Sequence, residues 1–199
     1  MKIIGLTGGS GVGKSAACAA FRARGCAVLD ADAIYRELCQ SCRAMLDQLQ
    51  TVYGDVLNTD STLDRKKLGA IVFSDPEKLK LLNSITHPYI RGELSERLKQ
   101  CADAGYAACI CDAPVLFEAG IDALCDTTVG VLSRYETRLQ RIMARDHISE
   151  GYAALRLDAQ HDDAWYIYRC RHILHNDGSL EELYAQVNTI YDRIMQGKD

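Results

Sequence analysis

One octapeptide, Gly8-Gly9-Ser10-Gly11-Val12-Gly13-Lys14-Ser15, constrains this chain more than any other stretch. It fits the phosphate-loop pattern G-x-x-x-x-G-K-[ST], and its flanks fit as well. Lys2-Ile3-Ile4-Gly5-Leu6-Thr7 reads as a buried strand, and Ala16 to Arg24 as a helix closed by Gly25. Strand, glycine loop and helix start in that order dictate one local fold. Glycines let successive backbone N–H groups turn inward around phosphate oxygens. A helix beginning near Lys14 adds free N–H groups and a positive dipole end. Lys14 is expected to reach the β- and γ-phosphates of a nucleoside triphosphate, and the Ser15 hydroxyl to hold Mg²⁺. The motif leaves the reaction open.

The chain has 199 residues, enough for one domain or one domain with an inserted piece. Hydrophobic residues make up 48% and charged residues 25%, which suits a packed core. A net charge of −4 argues against a nucleic-acid binder, whose surface is usually basic. No apolar run is long enough to span a membrane. The first residues enter a strand directly, so no secretory leader is expected. The nine cysteines, an odd number, lie mostly in apolar patterns and read as reduced thiols of a cytoplasmic protein. Cys39-Gln-Ser-Cys42 has no second pair at zinc-finger spacing and sits in a helical run, so it reads as structural.

Strands and helices alternate. Further strands are expected at Cys26–Leu29, ending in Asp30-Ala31-Asp32; at Tyr106–Cys111, ending in Asp112; at Thr127–Leu132; and at His172–His175, ending in Asn176-Asp177-Gly178. Apolar runs without clean alternation suit a mostly parallel sheet of five strands covered on both faces. Ser133-Arg134-Tyr135-Glu136 and Ser179-Leu180-Glu181-Glu182 both fit the capping box. The last helix would turn Leu180, Leu183, Tyr184, Val187, Tyr191 and Ile194 to the core. Residues 33–104 differ, with no convincing strand and helical patterns at Ala33–Val56, Asp64–Phe73, Asp75–Thr86 and Pro88–Gln100. The expected organisation is a three-layer α/β/α core, 1–32 and 105–199, with a helical insertion at 33–104.

In open α/β sheets, ligands bind beyond the carboxyl ends of the strands. Topology alone therefore brings Asp30, Asp32 and Asp112 toward the glycine loop. A kinase needs a phosphate cradle, Mg²⁺, an acidic group near the acceptor hydroxyl, and arginines facing the transferring phosphoryl. Asp32 suits the acidic role and Asp112 a supporting one; the structural alternative for each is a helix cap. Arg134, Arg138, Arg141 and Arg145, at spacings of four, three and four, share one helix face. Such a stripe is ordinarily solvated. Arg141 and Arg145, however, precede the polar break Asp146–Glu150, which reads as the hinge of a lid over about 141–165.

Together these residues resemble the dephospho-CoA kinase family. The likeness runs through Ile4–Gly9, Gly13-Lys14-Ser15, Asp30-Ala31-Asp32, Leu63-Asp64-Arg65, Val72-Phe73, Leu82–Pro88, Ala113–Glu118 and Asn176–Ser179, in order, over nearly the whole chain. The resemblance implies transfer of the ATP γ-phosphoryl to the ribose 3′-hydroxyl of dephospho-CoA, the last step of coenzyme A biosynthesis. It implies a P-loop kinase fold, with Asp32 as base, Lys14 and Arg141 serving catalysis, and Mg²⁺ on Ser15. ATP would contact Gly8 to Ala16, Arg145 and Asn176, the last bordering the adenine. Asp32, Arg65, His87 and Asp112 would face the acceptor, held by the insertion. Ser10, Val12 and Ala16 stand where the family usually has Ile, Ser and Thr. In a cradle of backbone N–H groups the first two changes matter little, whereas Ala16 lacks a hydroxyl.

Another small-molecule or nucleoside monophosphate kinase would share the loop, the acidic strand end and the lid but not the acceptor segments. A GTPase switch would need D-x-x-G and N-K-x-D segments, and neither occurs. No membrane or nucleic-acid partner is expected. A monomer is the expected state, with a small homo-oligomer as the alternative.

Overall fold

The structure, a computed structural model, describes residues 1–197. Its centre is a five-stranded, wholly parallel sheet of β1 (Lys2–Thr7), β2 (Ala27–Asp30), β3 (Ala108–Asp112), β4 (Thr127–Leu132) and β5 (His172–His175). The strand order is β2-β3-β1-β4-β5. The carboxyl end of β1 therefore lies between those of β3 and β4: Leu6 pairs with Asp112, and Thr7 with Gly130. This pairing carries the loop after β1 to the edge where Asp112 emerges.

Alternation along the strands divides the core. Ile4, Leu6, Ala108, Ile110, Val129, Val131 and Leu174 face α1 (Lys14–Ala23) and α9 (Leu180–Met195). On the opposite face, Cys109 and Cys111 pack with helices α2 (Ala31–Ser41), α3 (Arg43–Tyr53), α4 (Arg65–Val72) and α5 (Pro76–Asp103). A smaller cluster of Leu139, Ile142, Ala153 and Leu157 joins α6 (Tyr135–Asp146) to α7 (Glu150–Asp158). The short helix α8 (Asp163–Arg169) leads into β5. No helix among the described residues is long and apolar enough to cross a membrane.

Several elements depart from the reading by pattern. The second strand ends at Asp30, whose carboxylate accepts from the N–H groups of Asp32 (2.8 Å) and Ala33 (3.0 Å). Asp32 thus stands in the first turn of α2, not at a strand end. The expected helix over 33–56 breaks at Cys42, whose ψ of 87° is not helical. The break lets Cys39, Met45 and Leu46 all reach the core, and the Cys39 carbonyl accept from Leu63 N–H at 2.9 Å. All nine cysteines are free thiols.

The two helices expected on either side of His87 are one, α5, running through Pro88. An interior proline removes one helical hydrogen bond and strains the turn before it. Here Leu82, Thr86, Ile90, Leu94 and Leu98 form one buried stripe across it, and that packing outweighs the local loss. The first expected capping box does not form: α6 has Arg134 at its N-cap with no side-chain cap, and the Ser133 hydroxyl donates to Asp177 at 2.8 Å. The second, Ser179 with Glu182, forms fully. Leu180, expected in the core, is exposed because it begins α9 before that helix reaches the sheet.

Candidate active site

The glycine loop is shaped by its neighbours as well as by its glycines. Gly13 is the N-cap of α1 in the left-handed region, at φ 85°. A Cβ there would also lie 2.0 Å from the Asn176 amide nitrogen. Asn176 is buried and braces the loop from behind, its side-chain amide donating to the Val12 carbonyl at 2.8 Å. Arg141 completes the brace, donating to the carbonyls of Gly11 (3.2 Å), Val12 (3.4 Å) and Asn176 (3.1 Å).

In front of the loop lies a polar cavity of ≈ 550 Å³. It is lined by Gly8 to Gly11, Gly13, Lys14, Ser15, Asp30, Asp32, Asp112, Pro114, Arg141 and Arg145. The Lys14 ammonium pairs with Asp112 at its edge. Asp112 caps no helix; it also accepts from the buried Cys18 thiol, which burial and then the Asp112 charge push up to about 12, so it stays a protonated donor. Arg145 lines the same cavity while its guanidinium chelates Asp146 at 2.7 and 2.9 Å. Val12 and Ala16 contribute no surface to the cavity.

A second, largely apolar cavity of ≈ 420 Å³ opens between α2, α4, α5 and the segment after β3. Tyr35, Leu68, Leu82 and Ile90 supply its walls, with Arg65, Asn83 and His87 as polar points. Arg65 opens α4 directly after the capping carboxylate of Asp64. His87 hydrogen-bonds the Glu118 backbone carbonyl; burial, and then Arg91, hold its pKa below the ordinary value, so it is neutral at pH 7.

Among the described residues, Asp32 is the one common to both linings. Asp32 is exposed at the cavity walls, yet the protein around it raises its pKa above the ordinary carboxylate value. Desolvation is the largest cause; Lys14 opposes it, and the Asp30 and Asp112 charges add to it. Of the residues expected at the site, the structure gathers the loop, Asp32, Asp112, Arg141 and Arg145 around the polar cavity. Arg65 and His87 line the apolar one, and Asn176 stands behind the loop. Arg138 and Gln160, which also hold the loop, were not expected. Arg138 belonged to a stripe that reads as solvated, and Gln160 carries no motif.

A phosphate cradle on one side of a carboxylate and an acceptor-sized hollow on the other, on this parallel sheet, make the chain a phosphotransferase of the P-loop kinase class. Comparison with known proteins narrows the class. The dephospho-CoA kinase family model matches residues 2–182, and the chain belongs to that family. Dephospho-CoA kinase of Chlorobaculum tepidum is 36% identical over 198 residues, covering 97% of this chain and 95% of that protein. Among solved structures, TT1252 from Thermus thermophilus superposes with a TM-score of 0.81 at 32% identity, covering 97% of each chain. Dephospho-CoA kinase from Campylobacter jejuni does so with a TM-score of 0.72 at 26% identity, covering 100% of each.

Proposed function

We propose that the chain transfers the γ-phosphoryl of ATP to the ribose 3′-hydroxyl of dephospho-CoA, yielding coenzyme A and ADP. The observation that carries this reading is Asp32 as the single residue, among those described, shared by the polar and apolar cavities. ATP occupies the polar cavity, its phosphates against Gly8 to Gly11 and Gly13 to Ser15. Dephospho-CoA occupies the apolar cavity, its adenosine among Tyr35, Leu82 and Ile90, with Arg65 and His87 as polar contacts. The acceptor hydroxyl then meets Asp32 opposite the γ-phosphoryl, as in-line displacement requires. In this reading residues 33–104 form the acceptor region of the core built from 1–32 and 105–199.

Asp32 accepts the hydroxyl proton and orients the oxygen; its raised pKa brings it nearer the working pH of a base. Lys14, held by Asp112 until phosphate arrives, stabilises charge on the transferring group. Arg141, between the loop carbonyls and the cavity, adds to that field, and Arg145 joins it when the segment 141–165 closes. Asn176 serves ATP by shaping the loop, and the turn that follows it borders the adenine. The exposed Ser15 hydroxyl, with the Asp112 carboxylate on the same cavity wall, offers hard oxygens that would suit Mg²⁺. An ion bound there would supply neutralisation of phosphate charge. Activity in the cytoplasm, without nucleic-acid or membrane partners, completes the proposal.

The test is ADP release with dephospho-CoA, adenosine, AMP or shikimate as acceptor. Turnover is expected with dephospho-CoA alone. Equal turnover with another acceptor would assign the apolar cavity to a different kinase.

A further inference from the structure

The phosphate-loop pattern leaves position 9 open, yet this chain places glycine there. The backbone at Gly9 is not in the left-handed region, so conformation does not demand it. Space does. A Cβ at position 9 would lie 2.5 Å from Arg138 Nη2 and 2.6 Å from Gln160 Oε1.

Those two side chains converge on the next residue, Ser10. Gln160 lies between α7 and α8, 150 positions along the chain. Its Oε1 accepts from Ser10 N–H at 2.8 Å, and its Nε2 donates to Ser10 Oγ at 2.8 Å. Arg138 Nε donates to the Ser10 carbonyl at 3.0 Å, and Arg138 Nη2 to Gln160 Oε1 at 2.9 Å. Every polar atom of Ser10 is thereby held from outside the loop. Arg138 is only 7% exposed, with Asp163 3.9 Å from its Nη1. The segment carrying Gln160 is itself anchored: His161 meets Glu118 at 3.0 Å and stacks on Trp165 at 3.9 Å. A carboxamide suits this place because it offers an acceptor to the N–H and a donor to the hydroxyl from one planar group.

We propose that Gln160 is a positioning residue for phosphate binding: with Arg138 it holds the Gly9–Gly11 arm of the loop in shape before nucleotide arrives. The arm would otherwise sample many conformations, and nucleotide binding would bear the cost of ordering it. Gln160 acts through Ser10 and need not touch the phosphates. It also ties the far end of the lid segment to the loop. This inference rests on ATP occupying the polar cavity.

Calorimetric titration with Mg·ADP tests it on the parent protein and on Gln160→Ala, Ser10→Ala and the double variant, beside steady-state kinetics. Losing three hydrogen bonds, two with Ser10 and one from Arg138, and the loop order they impose should weaken ADP about tenfold in Gln160→Ala. KM for ATP should rise alike, with KM for dephospho-CoA within about twofold of the parent. The double variant should be no weaker than Gln160→Ala by more than about twofold, since both changes break one clasp. Gly9→Ala, whose Cβ pushes the two side chains away, should weaken ADP as well and supplies the test if Gln160→Ala does not fold. ADP affinity unchanged in a folded Gln160→Ala, or losses that multiply in the double variant, would overturn the proposal. A parent protein that binds no ADP would instead overturn the ATP reading beneath it.

Discussion

Asp32 carries a cost that its neighbours do not remove. Desolvation and the nearby Asp30 and Asp112 charges favour its neutral form, and Lys14 offsets only part of this. A raised carboxyl pKa means the folded chain binds that proton more tightly than the unfolded one. Stability from this group is therefore gained as pH falls through the folded pKa toward the unfolded value near 3.9, and it is absent at pH 7. Asp32→Asn should then melt no lower than the parent at pH 7 while losing roughly 10²–10⁴-fold in turnover. Melting scans and kcat on one preparation check both halves; near-parent turnover would remove Asp32 from the role of base. In the parent, the acidic limb of kcat/KM should have its midpoint above the ordinary carboxylate value, because the base must be ionised to accept a proton. A limb at or below that value would show that another group controls it.

Elements explain how such a residue is held in place. Asp32 is held by α2, and α2 begins where the Asp30 carboxylate takes up the N–H groups of Asp32 and Ala33. Asp30→Ala should cost about 0.5–2 kcal/mol of unfolding free energy, the usual worth of such a cap, read from urea denaturation. It should also lower kcat more than it raises KM, since the base loses its anchor. Asp30→Asn, which keeps the accepting oxygen, should restore most of both; failure to do so would mean that the Asp30 charge matters rather than its cap. Signals of this kind are local and can be read from sequence: the glycine loop, the Ser179–Glu182 box, and the strand ends at Asp112 and His175. The break at Cys42 and the continuity of α5 through Pro88 were not legible, because packing of Met45, Leu46 and the Leu82–Leu98 stripe decides them. The same holds at the site. Lys14 and Asp112 followed from strand order, whereas Gln160 and Arg138 meet Ser10 across 150 and 128 positions, a separation no motif records.

At the scale of the molecule, the helices between β2 and β3 have no core of their own. The buried residues of α2, α3, α4 and α5 merge with Cys109 and Cys111 of β3 and with Leu116 and Ile121 beyond it. Leu94, fully buried in α5, sits within that merged cluster. A region that shares its core with the sheet should not unfold before it, although its sequence pattern differs from the rest. In urea, far-UV circular dichroism, weighted by these helices, and the fluorescence of the single tryptophan, Trp165, should trace one coincident transition. Trp165 reports from α8, edge-on to Phe117 at 5.5 Å. Leu94→Ala should shift both probes together by about 2–5 kcal/mol, the range for emptying a well-packed leucine site. Two separated transitions, or a Leu94→Ala shift seen by circular dichroism alone, would instead mark 33–104 as an independent unit. One transition would mean that the walls of the apolar cavity and the strand that carries Asp112 are stabilised together, so damage to the acceptor side should weaken the nucleotide side as well.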